Sequence, residues 1–222
     1  MARVEFISQK NRDRYLYCIT PLGNLLARLR IHPNVITLLG LALSATAGLI
    51  YSTGSFFWAA WFLVLAGSCD ALDGHLARLT GRSSPFGAFF DSTMDRFGEV
   101  LIFIGLAWHF SGGSAGAFGD VSDAARVQSP FSVALIILAA SGSMMVSYTR
   151  ARAEALGVEC KVGWMQRPER LVMLILGSLL AALPVVGLVL MKLTLLTLAL
   201  TANITAVQRV VHVRKQLMRI KA

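Results

Sequence analysis

Four aspartates, Asp70, Asp73, Asp91 and Asp95, stand in or beside otherwise apolar stretches. Asp70 and Asp73 are three residues apart and Asp91 and Asp95 four apart, so each pair falls on one face of a helix. The first pair closes one apolar run and the second opens the next, with the short segment 78–86 between them. An antiparallel helix pair then brings all four carboxylates to one depth. A single aspartate at the centre of a membrane helix costs about 2.5–3.5 kcal/mol on insertion scales, and four together also repel one another. Divalent cations offset both penalties, because hard oxygen donors suit magnesium or manganese and the ion's charge reverses the local electrostatics. Ion pairing with Arg78, Arg82 and Arg96 would balance part of the same charge, although these lie towards the ends of the runs and need not be buried. Gly74, Ala77, Gly87 and Ala88 on the same helices leave room for a backbone or a ligand to approach, and small-residue helix packing alone would also account for them. His75 is expected to be packed or interfacial, not catalytic.

The elements that must hold these groups follow from composition. The 222 residues are 55% hydrophobic and only 15% charged, with a mean hydropathy of +0.63, whereas a soluble domain is about a quarter charged. The apolar residues gather into six stretches, 35–53, 57–77, 87–110, 130–151, 170–183 and 185–211, to be set against the ~20 helical residues that cross a bilayer. The fifth is short and ends at Pro184, which makes its border with the sixth the least defined. The expected fold is all-α, a polytopic membrane protein with six transmembrane helices in a single domain over 1–222. Residues 1–34 form a basic juxtamembrane segment, in which Leu22, Leu25, Leu26 and Leu29 recur at helical spacing opposite Arg28 and Arg30. Thr20-Pro21 suits a helix start, and an amphipathic helix lying in the interface is expected, an ordinary surface helix being the alternative.

An even number of spans puts both termini on one side. The basic prelude, the 78–86 and 152–169 loops and the tail with Arg214, Lys215, Arg219 and Lys221 share that side, which marks it as cytoplasmic. The Gly- and Ser-rich loop 111–129 lies opposite, with Arg126 accompanied by Asp120 and Asp123. The formal charge of +9 and pI near 10.1 admit nucleic acid or anionic lipid as a partner. Lys and Arg here flank apolar runs and do not interleave with exposed aromatics, which favours lipid headgroups and no nucleic acid. Cys18, Cys69 and Cys160 have no metal-ligand spacing and build no disulfide framework. Residues 1–14 lack the apolar core and cleavage site of a removable signal peptide.

Taken together, Asp70-x-x-Asp73-Gly74-x-x-Ala77-Arg78, eight residues, then Gly87-x-x-x-Asp91-x-x-x-Asp95 resembles the signature of the CDP-alcohol phosphotransferases, with every fixed position filled. The resemblance extends to the six-span architecture. It implies two magnesium or manganese ions held by Asp70, Asp73, Asp91 and Asp95, neutralising the pyrophosphate of a CDP-linked lipid and stabilising the leaving CMP. It further implies that Asp95 is the general base for direct attack by an acceptor hydroxyl, and that Gly74 and Arg78 line the cytidine and pyrophosphate site. No Ser/His or Cys/His pair suggests a covalent intermediate. His32-Pro33-Asn34-Val35-Ile36-Thr37 is similar to the family's nucleotide-contacting segment, with Asn34 where an aspartate is common, and Ser84 falls where a hydroxyl residue contacts the donor. The family also implies a homodimer; the small-residue ridge Gly40, Ser44, Gly48 could serve within a protomer or between two.

Arginines mark the acceptor side. Arg150 and Arg152, Arg167 and Arg170, and Arg209 stand at cytoplasmic helix ends, and arginine is suited to fork-like phosphate contacts. A phosphorylated acceptor alcohol and plain positive-inside anchoring both fit that placement. The local wording resembles the actinobacterial phosphatidylinositol-phosphate synthases, which join CDP-diacylglycerol to inositol 1-phosphate, except that Arg150 stands where lysine is frequent. That resemblance implies an acceptor phosphate held by Arg150, Arg167, Arg170 and Arg209. Glycerol 3-phosphate would satisfy the same cluster. A cation transporter is the rival of another class, disfavoured because the carboxylates crowd one mouth with no acidic counterpart across the bilayer.

Overall fold

Seven α-helices and no strand are found among the described residues. The computed structural model describes residues 9–113, 128–160 and 162–221. The helices are α1 (Gln9–Arg28), α2 (Pro33–Ser52), α3 (Phe56–Leu79), α4 (Pro85–Phe110), α5 (Pro130–Ala155), α6 (Arg167–Ala181) and α7 (Gly187–Lys221). Three of them start alike: His32, Ser84 and Ser129 cap α2, α4 and α5 through their side chains, and proline follows at the first helical position. A proline there gives up only an N–H that the helix could not use.

Four helices, α2, α3, α5 and α7, are long and apolar enough to cross a membrane, and the chain is a membrane protein. The other two expected spans look different. α4 has the length, 26 residues, but carries Asp91, Asp95, Arg96 and Glu99. α6 has only 15 residues, fewer than a straight crossing needs. At the other extreme α7 runs for 35 residues, which at 1.5 Å per residue is about 52 Å, well beyond the ~30 Å of hydrocarbon.

The helix in the basic segment does not begin at Pro21: α1 starts upstream and contains that proline in its interior. The break in hydrogen bonding that proline imposes is offset by burial, since Ile19, Leu26, Ala27 and Ile31 pack on Ile36, Cys69, Leu72 and Leu76. Leu22, Leu25 and Leu29 remain exposed. Residues 1–8 and the loop positions Asp120, Asp123 and Arg126 lie outside the described residues.

The helices fall into two compact units, α1–α4 and α5–α7. In the first, α2 packs against both α3 and α4, and α1 against α3. The ridge Gly40, Ser44, Gly48 is used inside the protomer. A Cβ on Gly40 would sit 3.2 Å from Cβ of Cys69 in α3, and one on Gly98 of α4 would sit 3.0 Å from Oγ of Ser44. Gly48 and Gly105 bring the backbones of α2 and α4 together, and a Cβ on either would run into the other helix's carbonyl groups. At the far end Tyr51, Phe56, His109 and Phe110 form a buried ring cluster.

In the second unit α7 packs against α5 and α6. The Asn203 Nδ2 amide crosses from α7 to donate to the Leu138 carbonyl of α5 at 3.0 Å, and Gly142 leaves it space. The connection from α5 to α6 is not a surface loop throughout, because Val158, Cys160 and Met165 are buried.

Candidate active site

The first unit assembles the acidic groups. Asp70 comes from the third-last turn of α3 and Asp91 and Asp95 from the second and third turns of α4. One carboxylate oxygen from each lies within 4.8 Å of the other two, and all three residues are half-buried. Three oxygen donors at that spacing fit a hard divalent cation, whose bonds to oxygen are about 2.0–2.6 Å long. The helix spacing of i, i+4 and the short α3–α4 turn bring together three of the four carboxylates expected to meet.

Asp73 is not one of the three. It is 4% exposed, and its Oδ2 accepts a 2.6 Å hydrogen bond from the Thr37 hydroxyl on α2. Thr37 therefore touches a site carboxylate, a contact the sequence does not reveal because 36 residues separate the partners. Part of the charge is balanced internally, since Arg96 pairs with Asp95 at 3.6 Å. Arg82 instead reaches the Arg30 carbonyl, at 3.5 Å.

The residues expected to contact a donor nucleotide belong to the same unit. Pro33, Asn34 and Thr37 lie in the first turns of α2. The Ser84 hydroxyl accepts from the Gly87 amide at 3.0 Å, so it caps α4. A Cβ on Gly87 would meet that hydroxyl at 3.2 Å and the Asn34 Oδ1 at 3.8 Å, which sets the start of α4 beside the start of α2. The Arg78 guanidinium lies over Gly74, 3.5 Å from where a Cβ would stand. His75 packs its ring on Gly23 of α1, and its Nε2 is buried with no hydrogen-bond partner among the described residues.

The second unit holds the arginines, in unequal settings. Arg150 is exposed and pairs with Glu154 at 2.8 Å, one helical turn on. Arg170 and Arg209 are buried, at 4% and 2% exposure. Arg209 donates from Nε to the Val162 carbonyl at 3.0 Å and from Nη1 to the Val146 carbonyl. Arg170 donates from Nη1 to the Met165 carbonyl at 3.5 Å. Arg167 opens α6. The thiol of Cys160 is pushed up by burial, while the charges of Arg209 and Arg150 pull it back down; both guanidinium groups thus act on this loop. Thr205, which sequence alone does not single out, is fully buried and accepts from the Met165 amide at 3.2 Å.

Known proteins similar to this chain point to one family. A phosphatidylinositol phosphate synthase of Streptomyces avermitilis is 37% identical over 205 residues, covering 89% of this chain and 78% of that protein. An archaetidylinositol phosphate synthase of Methanothermobacter thermautotrophicus is 34% identical over 190 residues, covering 86% and 87%. Crystal structures of the Mycobacterium tuberculosis phosphatidylinositol phosphate synthase superpose on it. The form with CDP-DAG bound gives a TM-score of 0.71 at 31% identity over 87% of this chain and 92% of that one. The complex with manganese and citrate gives 0.72 at 30% identity over 87% and 88%. The family model for CDP-alcohol phosphatidyltransferases matches residues 30–207, across both units. One of those neighbours was crystallised with manganese, and the Asp70, Asp91 and Asp95 triplet seen here is a group that could hold a divalent ion. The chain is an enzyme of the CDP-alcohol phosphatidyltransferase family.

Proposed function

We propose that this enzyme is a phosphatidylinositol-phosphate synthase, transferring a phosphatidyl group from CDP-diacylglycerol to inositol 1-phosphate and releasing CMP. The observation that carries the reading is the convergence of Asp70, Asp91 and Asp95 from two consecutive helices, in a chain whose named relatives act in inositol phosphate lipid synthesis. A family of transferases leaves the transporter alternative without support.

Asp70, Asp73, Asp91 and Asp95 hold two magnesium or manganese ions in this reading. When bound, these supply charge neutralisation to the donor's pyrophosphate and to the departing CMP. The chain's own groups do the rest. Pro33, Asn34, Thr37, Gly74, Arg78 and Ser84 orient the CDP-lipid. Arg150, Arg167, Arg170 and Arg209 hold the acceptor phosphate through charge-assisted hydrogen bonds. Asp95 takes the proton from the acceptor hydroxyl, with the Arg96 guanidinium 3.6 Å from its carboxylate. The freed oxygen attacks the lipid-side phosphorus. The bond from that phosphorus to the bridging oxygen breaks, and CMP leaves with the electron pair.

The two units form one catalytic domain in this reading, a homodimer in the cytoplasmic membrane, and α2–α7 all cross the bilayer. α4 does so although it carries Asp91, Asp95, Arg96 and Glu99, and α6 does so as a short helix. α1 lies in the interface with Leu22, Leu25 and Leu29 towards lipid, and both termini are cytoplasmic.

The test is CMP release from CDP-diacylglycerol with inositol 1-phosphate, glycerol 3-phosphate or inositol as the only acceptor. Inositol 1-phosphate should be used best and inositol poorly. Preference for glycerol 3-phosphate would keep the phosphate grip and replace the acceptor. Equal use of inositol and its phosphate would remove the grip.

A further inference from the structure

The segment between α5 and α6 has no secondary structure of its own over residues 162–165, yet its backbone groups are held from neighbouring helices. The Val162 carbonyl accepts from Arg209 Nε at 3.0 Å. The Met165 amide donates to the Thr205 hydroxyl at 3.2 Å, and the Met165 carbonyl accepts from Arg170 Nη1 at 3.5 Å. Two arginines of separate helices therefore rest on carbonyls of one four-residue strap, and Thr205 is the only neutral side chain that ties that strap to α7 among the described hydrogen bonds.

The details make Thr205 a directed pin. Its Oγ1 donates to the Thr201 carbonyl at 2.8 Å. A hydroxyl has one proton to give, so this bond leaves its lone pairs to receive the Met165 amide. Gly163 is left-handed at φ +116°, and a Cβ there would fall on the Thr205 methyl. The strap can lie this close to α7 only because residue 163 has no side chain. Cys160 before the strap and Met165 within it are buried, so the Met165 amide meets Thr205 in place of water.

A guanidinium is a rigid planar fork. Once Arg209 has given Nε and one Nη1 proton to carbonyls, the direction of its remaining N–H groups is set by where those carbonyls stand. The Met165 carbonyl fixes one arm of Arg170 in the same way. Resting on the reading that Arg170 and Arg209 grip the acceptor phosphate, we propose that Thr205, with Gly163, is a positioning residue for that phosphate: it locks the strap whose carbonyls aim the two arginines. It touches neither substrate nor metal and acts only through the strap.

The experiment is a two-substrate titration of CMP release by the full-length enzyme in lipid nanodiscs, for the parent and for Thr205→Val, Thr205→Ser, Gly163→Ala and Arg209→Ala. Thr205→Val keeps shape and removes the acceptor of the Met165 amide. Its KM for inositol 1-phosphate should rise about two- to tenfold, with kcat within twofold and the KM for CDP-diacylglycerol unchanged. Thr205→Ser should restore the parent value. Gly163→Ala should shift the acceptor KM in the same direction, and it decides the matter if Thr205→Val does not fold. The proposal is overturned if folded Thr205→Val keeps the parent acceptor KM while Arg209→Ala raises it. It is overturned equally if donor and acceptor KM rise together, or if serine does not restore binding. A parent enzyme that does not distinguish inositol from its phosphate, with Arg209→Ala silent, would instead sink the phosphate-grip reading beneath it.

Discussion

The carboxylates of α3 and α4 and the arginines of α6 and α7 are both like-charge clusters in apolar surroundings, and the chain treats them differently. Asp70, Asp91 and Asp95 are drawn together until their oxygens lie within 4.8 Å, and Arg96 pairs with Asp95. Arg170 and Arg209 are buried more deeply and rest on backbone carbonyls of their own unit. A cluster that gathers repelling charge gains most from an ion brought from outside. A cluster already seated on carbonyls supports the fold as well as a ligand. Loss of an aspartate should therefore damage chemistry alone, and loss of a buried arginine should damage binding and stability together.

Asp91→Asn tests the first half and should have the largest effect. It should lower CMP release by more than the ~10²-fold that loss of an outer-shell partner can cost, while the protein still purifies as a single species. Parent Tm should rise on adding manganese, by the linkage between binding and folding, and the variant's should not. Full activity of Asp91→Asn at low magnesium would remove the metal assignment.

Arg209→Ala and Arg150→Ala probe the second half as a pair. Arg209→Ala should raise the acceptor KM about ten- to a hundredfold and also lower Tm by several degrees, at roughly 2–4 °C per kcal/mol for a chain of this size. Arg150→Ala should raise the acceptor KM with Tm almost unmoved, because its pair with Glu154 is exposed and such pairs contribute about 0.3–0.5 kcal/mol. Equal Tm losses in the two variants would erase the distinction drawn between them.

Thr37→Val is expected to have a smaller effect, about tenfold on kcat/KM, because Asp73 loses the 2.6 Å hydrogen bond that holds it. The smallest effect concerns Cys160. Burial holds its thiol above its ordinary pKa, so at neutral pH it stays protonated and should react with maleimide far more slowly than in denatured protein. Rapid labelling in the native state would show that the strap opens.

The acidic site was legible because helical spacing is local: three and four residues fix a shared face whatever the rest of the chain does. The turn between Leu79 and Pro85 is short enough to force the two faces together. Thr37 was legible as a site residue through resemblance, but not as the partner of Asp73, since nothing in a sequence announces a contact between residues so far apart. The arginines were legible as charges and not as hydrogen-bond donors to Val162, Val146 and Met165, because carbonyls leave no trace in residue type. Pro21 misled for a related reason. Local preference places proline at a helix start, and the packing of Ile19 and Leu26 on α3 overrides it. α4 and α6, expected as spans from the sequence, are respectively too charged and too short to be recognised as such by apolar length.

Gly98 stands three residues beyond Asp95 and presses on Ser44, and Gly105 presses on Gly48. The spacing of α4 from α2 is thereby set by backbone thickness at Gly105 and by the small Ser44 side chain at Gly98. Adding one methyl at Gly98 requires its neighbour to give by a few tenths of an ångström. Magnesium and calcium differ in their distances to oxygen by about 0.3–0.5 Å, a displacement of the same size. Gly98→Ala is therefore expected to act like a shim between α2 and α4, the helix that carries Asp91 and Asp95, and a change in which divalent ion best supports CMP release would show that the proposed metal site feels this spacing.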